Sequence, residues 1–444
     1  MKKKYFGTDG IRGTFNEFPI TIPFFISLTD SIKKTRKTIK KVIIGKDTRE
    51  SCSLIEKAII QGFADNNVIC ETCGIVSTPI LSFKTRSLDY DLGVMISASH
   101  NQFTDNGIKL FNKNGEKLSD DEEIAIEENI DLSEKNKTND RQLFNEINLD
   151  CLDYETWLIN RFVRLSNFNQ SIVVDFANGS LSYIGPRFFE KLNLDFKKYS
   201  FNPTGKNINK NCGAMHPEFL TEKTHLNKAK LGISFDGDAD RVIFCDENGE
   251  IIDGDLILAI LVMYLKKNDQ LNNNMVVNTQ MSNLGFREFL NEKKVNYILS
   301  QVGDRYVIED MKKNNCVIGG EPSGHIIFSE NSYCGDGLYT ALLIIEILKH
   351  EDCSLAELSK KMFKKVPQKL VNLKLNNEPK LILENNEVNS YIENILSENK
   401  CDILLRKSGT ENLLRLMVQA NSSELVDSLI EDLVSRIKEL DETK

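Results

Sequence analysis

Four short stretches concentrate residues whose types and spacing can do chemistry. In the first, Ser97-Ala98-Ser99-His100-Asn101 follows the apolar run Gly93-Val94-Met95-Ile96. Small hydroxyl residues at the carboxyl end of a buried strand are where open α/β sheets place their sites. Two readings stand on the residues alone, a covalent phosphoryl-carrying serine and an ordinary Ser/Asn turn. In the second, Asp236-Gly237-Asp238-Ala239-Asp240-Arg241 sets three carboxylates at alternate positions. Such crowded like charges repel unless a hard cation binds them. Asp236, Asp238, Asp240 and Glu247 also fit positions 1, 3, 5 and 12 of a calcium-binding EF-hand loop, but Arg241 stands where that loop needs Gly at position 6. An oxygen-only site with open positions suits Mg²⁺ facing a phosphate better than Ca²⁺.

In the third stretch, Gly319-Gly320-Glu321-Pro322-Ser323-Gly324-His325, Glu321 and Ser323 suit hydrogen bonding to vicinal sugar hydroxyls. His325 is either a proton shuttle or a plain core or surface histidine. The fourth, Arg406-Lys407-Ser408-Gly409-Thr410-Glu411, offers cations, hydroxyls and a Gly-enabled turn, the residue types of a phosphate cradle. Near the start, residues 5–14 carry three glycines with Asp9 and Arg12. They read as a backbone-directed loop in which Arg12 meets a phosphate or sits in solvent. The chain has no G-x-x-x-x-G-K-[ST], no G-x-G-x-x-G and no G-x-S-x-G. A Walker loop, a dinucleotide site and an esterase elbow are thereby disfavoured.

These loops need elements to hold them. The runs at 42–45, 171–175 and 275–278 resemble one another, each a buried strand followed by small polar residues and a helix. A second buried strand in each unit, at 92–96, 231–235 and 316–318, ends in one of the first three chemical loops. Helices are expected over about 53–66, from Thr78-Pro79, from Asp120, over 154–165 and, N-capped by the 253–255 turn, over 256–265. The polar residues 119–165 read as a connector with solvated charged faces, and Thr104-Asp105-Asn106-Gly107 as a turn. From about residue 366 the pattern changes to a small α+β cap ending in a helix over 423–440. The expected architecture is three similar doubly wound α/β domains (residues 1–150 with the connector, 151–250 and 251–365) plus an α+β domain at 366–444, around a central cleft.

The chain has 444 residues, 41% of them hydrophobic and 27% charged, which suits a soluble globular protein of three or four domains. A net charge of −9 argues against nucleic acid as main partner, though local cations can hold an anionic small substrate. Lys2, Lys3 and Lys4 are not followed by a signal-type apolar run, and the longest apolar stretch is about half what a bilayer needs. No membrane association and a cytoplasmic location are expected. Ten cysteines include only one C-x-x-C, Cys70 to Cys73; without a second pair it is no zinc ribbon, and reduced structural thiols are the favoured reading over a redox pair.

Taken together, the loops resemble the signature set of the α-D-phosphohexomutase superfamily, most closely its bacterial phosphoglucosamine mutase branch, over essentially the whole chain and in the same order. Phe6-Gly7-Thr8-Asp9-Gly10-Ile11-Arg12-Gly13 is similar to the N-terminal signature. The resemblance selects Ser99 over Ser97 as the phosphorylated serine. It makes Asp236, Asp238 and Asp240 the Mg²⁺ ligands, with the Ser99 phosphate a further ligand, and Glu321 and Ser323 the sugar readers. Arg406, Ser408, Gly409, Thr410 and Arg415 become the phosphate loop. Arg12, Lys109 and His325 match positions tied to proton transfer or charge stabilisation, and Arg241 joins this catalytic set. Gln102, Lys407, Asn412, Lys46 and the run Ser180-Leu181-Ser182 depart from the family pattern, yet no catalytic residue type is lost.

The resemblance implies an isomerase that interconverts glucosamine 6-phosphate and glucosamine 1-phosphate through phosphoserine and glucosamine 1,6-bisphosphate, feeding UDP-N-acetylglucosamine and cell-envelope synthesis. It would use one Mg²⁺ per site and act as a monomer or homodimer. The rivals are the same chemistry on glucose or mannose phosphates, a metal-dependent sugar-phosphate phosphatase and a non-catalytic Ca²⁺-binding protein.

Overall fold

The structure, a computed structural model, describes residues 3–133, 144–145, 152–166, 168–330, 332–407 and 413–442. Three of its four sheets repeat one plan. In the first, the strands run in the order Ile11–Thr14, Asp105–Asn112, Leu92–Ile96, Lys41–Lys46, Ile69–Ile75, Phe144–Asn145. Leu92–Ile96 is parallel to Lys41–Lys46 on one side and antiparallel to Asp105–Asn112 on the other. Leu231–Phe235 holds the same place in the second sheet, between Ile172–Asp175 and Val242–Asp246. Ile318–Gly320 does so in the third, between Met275–Thr279 and Ile326–Phe328. Each of the first three chemical loops therefore leaves the strand at which its sheet changes from parallel to antiparallel pairing. The fourth sheet, Gln368–Lys374, Leu413–Ala420 and Cys401–Lys407, is wholly antiparallel.

Local chemistry explains the helices that flank these sheets. Ser77 accepts from the Ile80 N–H to cap Thr78–Ser87, and Asp253 caps Gly254–Lys267 through the Leu256 N–H. The helices Gly254–Lys267 and Gly337–Glu351 are apolar nearly all round, and both are buried in one continuous core with the second and third sheets. The first domain has its own core around Phe24, Phe25, Phe63 and Val94. The fourth packs Leu416 and Val418 against Leu433.

Five local expectations change. Residues 105–107 are the start of a strand, not a turn, because they pair with Gly13, Arg12 and Thr14. For the same reason residues 11–14 are strand rather than loop. Gly319 and Gly320 belong to the strand before the sugar loop, and Arg406 and Lys407 to the strand before the cradle. The helix Asp120–Glu128 buries Ile126 in the first core instead of lying in a solvated connector. The helix Leu152–Phe162 does connect: Tyr154 packs on Phe83 and Phe188, and Trp157 stacks on Tyr339. None of the nine described cysteines forms a disulfide with another described residue, and the charge of the polar break at 135–140 lies outside the described residues. Among the described residues no helix is long and apolar enough to cross a membrane.

Candidate active site

The loops of the first two sheets meet tip to tip. Ser99 sits in the left-handed backbone region at φ 51°, and Ala239, inside the Asp loop, at φ 59°. Non-glycine residues are held there only where their surroundings over-determine them. The Ser99 hydroxyl donates to Asp236 Oδ2 at 2.6 Å. Its own N–H donates to Ser97 Oγ (2.9 Å), whose hydroxyl in turn donates to Asp47 Oδ2 (2.6 Å). Thus Ser97 supports the loop while Ser99 faces the carboxylates.

One oxygen from each of Asp236, Asp238 and Asp240 lies within 4.8 Å of the others, and all three residues are buried. Asp238 Oδ1 is buried and accepts no hydrogen bond from the described residues. A compact, oxygen-only set with an orphaned oxygen fits a divalent cation. Lys109 Nζ lies 2.7 Å from both Asp238 Oδ2 and Asp240 Oδ2 and 3.1 Å from Asp9 Oδ2. Burial opposes the lysine's charge, but Asp238, Asp240 and Asp9 outweigh it and hold the ammonium well above its ordinary range. Burial followed by repulsion from Asp238 and Asp240 pushes the Asp236 carboxyl well up. Asp240 goes the other way: burial would raise it, yet Lys109 and then His325 hold it well below the usual carboxylate range.

His325 is fully buried, with Nδ1 3.5 Å from Asp240 Oδ1 and Nε2 3.4 Å from Asp304 Oδ2. Burial opposes its protonation, but Asp240 and Asp304 prevail and raise it. Lys117 bridges Asp9 and Asp304, linking the first and third domains beneath the same point. Burial, Arg241 and Arg12 together push His100 down to about 3, so its imidazole is neutral.

Above this buried centre lies a cleft of about 940 Å³. Arg12, His100, Arg241, Glu321, Ser323, Arg406 and Arg415 all line it, together with Asp9, Met281 and Leu370. Ser99, Lys109 and the Asp triad lie under its floor and have at most 1% exposure. Arg12 reaches from the cleft to the Ala98 carbonyl (3.4 Å) and also pairs with Asp9. Ser323 Oγ is buried without a hydrogen-bond partner among the described residues. Burial raises the neighbouring Glu321 carboxyl. Arg406 and Arg415 stand opposite each other on paired strands. Like charges so placed repel; burial and Arg415 lower the Arg406 guanidinium, an environment that an anion would relieve. Ser408, Gly409 and Thr410 lie outside the described residues. The other twelve candidate residues are all brought to one place.

Sequence reasoning missed the residues that hold this centre together. Asp9, Lys117 and Asp304 form the charge chain just described. Thr78 donates its N–H to the Asp238 carbonyl (2.9 Å) and its hydroxyl to Asp238 Oδ2 (2.5 Å). Arg49 and Asn209 grip the Ser99 loop. Two carried a local signal: Asp9, in the glycine-rich stretch at residues 5–14, and Arg49, a cation just beyond the end of the strand Lys41–Lys46.

Four phosphoglucomutase/phosphomannomutase family models match in series: α/β/α domain I at residues 3–137, domain II at 156–249, domain III at 253–366 and the C-terminal domain at 370–436. The chain belongs to the phosphohexomutase family. It is 38% identical to a phosphoglucosamine mutase of Bartonella bacilliformis, covering 98% of this chain and 99% of the relative. It is 40% identical to a phosphoglucosamine mutase of Staphylococcus aureus, covering 95% of each. An N-acetylphosphoglucosamine mutase of Aspergillus fumigatus, solved in complex with GlcNAc-6P and magnesium, shares the fold at a TM-score of 0.64 and 17% identity, covering 98% of this chain and 95% of that one. A phosphohexomutase is an isomerase that moves a phosphoryl group within its substrate, which the buried serine and carboxylates suit.

Proposed function

We propose that this chain is a phosphoglucosamine mutase: it interconverts glucosamine 6-phosphate and glucosamine 1-phosphate, with Ser99 as phosphoryl carrier. The observation that carries the reading is the Ser99 hydroxyl held 2.6 Å from Asp236, in a three-carboxylate centre under a cleft walled by sugar-type and phosphate-type side chains. The near full-length relatives named above support the amino sugar as substrate.

The first transfer breaks the bond between Ser99 Oγ and phosphorus and forms one between phosphorus and the sugar O1. The proton of the O1 hydroxyl passes to a base, and the Ser99 oxygen is left as the alkoxide that the buried charges must stabilise. The 1,6-bisphosphate turns over in the cleft. Its 6-phosphoryl group then passes to Ser99, giving glucosamine 1-phosphate and restoring the phosphoserine. Because the phosphoryl group arrives already on Ser99, no Ser-His-Asp triad is needed.

Asp236, Asp238 and Asp240 would hold one Mg²⁺, the ion named with the Aspergillus neighbour, and Lys109 counters the remaining carboxylate charge. When bound, the ion neutralises charge on the transferring phosphoryl oxygens. Glu321 and Ser323 orient the sugar hydroxyls. Arg406, Ser408, Gly409, Thr410 and Arg415 hold the phosphate that is not reacting, so one cradle serves both orientations. Arg12, Arg241 and His325 supply charge stabilisation or proton transfer at the floor of the cleft. We assign the domains to residues 1–150, 151–250, 251–365 and 366–444, place the enzyme in the cytoplasm and expect a monomer or homodimer.

A substrate panel tests this reading. kcat/KM measured on glucosamine, glucose and mannose 6-phosphates, with a trace of the matching 1,6-bisphosphate, is expected to favour glucosamine. Preference for glucose or mannose would overturn the amino-sugar assignment. Net release of inorganic phosphate in place of isomer exchange would make the chain a phosphatase.

A further inference from the structure

The backbone of the Ser99 loop is held by two side chains from different domains in the same way. Arg49 Nη2, from the first domain, donates to the Ser99 carbonyl at 3.0 Å and the Asn101 carbonyl at 2.9 Å. Asn209 Nδ2, from the second domain, donates to the same two carbonyls at 2.8 and 3.0 Å. Arg49 is itself fixed: its Nε pairs with Asp47 Oδ2 at 2.9 Å, and neither side chain has any exposure. Asn209 is 5% exposed and adopts φ 55°, a left-handed conformation that asparagine reaches more cheaply than most residues. Gly237, between the first two aspartates, closes the arrangement. A Cβ there would come within 2.5 Å of the Ser99 carbonyl and 2.9 Å of Asn209 Nδ2.

Resting on the reading of Ser99 as phosphoryl carrier, we propose that Asn209 is a positioning residue: its amide carries the geometry of the second domain's metal loop onto the Ser99 backbone, so that the phosphoryl group stays in register with the three aspartates. Arg49 holds the Ser99 loop within its own domain, as do Ser97 and Arg12. They cannot fix that loop against a metal centre built on another domain. Among the described residues, the Asn209 amide is the donor from the metal-bearing domain that reaches the Ser99 and Asn101 carbonyls. A displacement of about 1 Å between reacting groups costs on the order of 100-fold in rate, so a weak link here has a large kinetic effect.

The test compares Asn209→Ala and the isosteric Asn209→Asp, which places a carboxylate against two carbonyls, with Asn207→Ala as control. Asn207 lies in the same loop, where its side chain accepts from the Thr204 N–H and donates to the Asn202 carbonyl, and among the described residues it makes no hydrogen bond to the Ser99 loop. Three quantities are read: the rate of Ser99 phosphorylation by glucosamine 1,6-bisphosphate in quenched samples by intact mass, the Kd for Mn²⁺ by calorimetry, and Tm. Asn209→Ala is expected to slow phosphorylation by about 10- to 100-fold, with Mn²⁺ Kd unchanged within about twofold and Asn209→Asp slower still. Asn207→Ala is expected to lower Tm at most, with wild-type phosphorylation. The inference is overturned if both Asn209 variants phosphorylate at the wild-type rate, or if their rate losses only track losses of Tm and Mn²⁺ affinity. Failure of the wild-type protein to take up phosphate on Ser99 would instead overturn the carrier reading.

Discussion

The floor of the cleft and its fourth-domain wall are built on opposite principles. At the floor, Ser99, Lys109 and the three aspartates are sealed from solvent, and their neighbours come from the first, second and third domains. On the wall, Arg406 and Arg415 are half-buried, face each other and belong to a small antiparallel sheet with its own core. A phosphoryl group in flight needs preorganised charge that costs no rearrangement at the moment of transfer. The proposed bisphosphate, which would turn over between transfers, needs a grip that can let go and take hold again. Under the proposed function, the difference separates where chemistry is fixed from where the substrate is handled.

Removing the carrier breaks this contrast most severely. Ser99→Ala is expected to lower mutase kcat by about 10³-fold or more, since it removes the oxygen proposed to carry the phosphoryl group. Full activity of that variant, assayed with pure substrate and a trace of bisphosphate, would remove the floor's assigned role. Next, Asp238→Asn keeps the shape of the triad but drops one charge beside Lys109. It is expected to weaken Mn²⁺ binding by about 100-fold, the upper end of what even outer partners of a metal site cost. Unchanged affinity in calorimetry would mean that the triad is not the cation site.

The wall is expected to respond differently. Arg406→Ala removes one charge-assisted contact worth about 1.5–3 kcal/mol, so KM for the sugar phosphate rises about 10- to 100-fold. kcat is expected to stay within a few-fold in steady-state kinetics. A fall in kcat alone would place Arg406 with the transferring group and erase the distinction between floor and wall.

Much of the floor was legible in the residue types. Serine, glycine and alternating aspartates at strand ends announce loop chemistry, and the order of the loops carried the family resemblance. The strand starting at Asp105 was hidden because its first residues, Asp105-Asn106-Gly107, are turn formers; pairing with Ile11–Thr14 overrides that preference. Asn209 and Thr78 gave no signal, because each acts on a loop more than a hundred residues away in the chain. The burial of Ser99 was likewise unreadable, since it is made by contacts between domains.

The smallest expected effect concerns stability away from the site. Asp336 caps the helix Gly337–Glu351 through the Tyr339 N–H and accepts from the Tyr154 hydroxyl. Burial outweighs these bonds and raises its carboxyl to about 6. The folded chain therefore holds a proton between about pH 4 and 6 that the unfolded chain has lost. This contribution is fully present below about pH 4 and declines as pH rises through 6. Asp336→Asn has no such proton, so its Tm relative to wild type is expected to rise by a few degrees from pH 4 to 7. A constant Tm difference across that range would contradict the raised carboxyl.

In the proposed cycle Ser99 gives its phosphoryl group to the sugar and takes a different one back. Protein first phosphorylated by glucosamine 1,6-bisphosphate and freed of it, then mixed with glucosamine 6-phosphate and quenched, measures this directly by peptide mass mapping alongside sugar analysis. The expected result is phosphate on Ser99 that passes to the sugar as bisphosphate, with no inorganic phosphate accumulating. Phosphate absent from Ser99, or leaving it as inorganic phosphate in step with substrate loss, would contradict it.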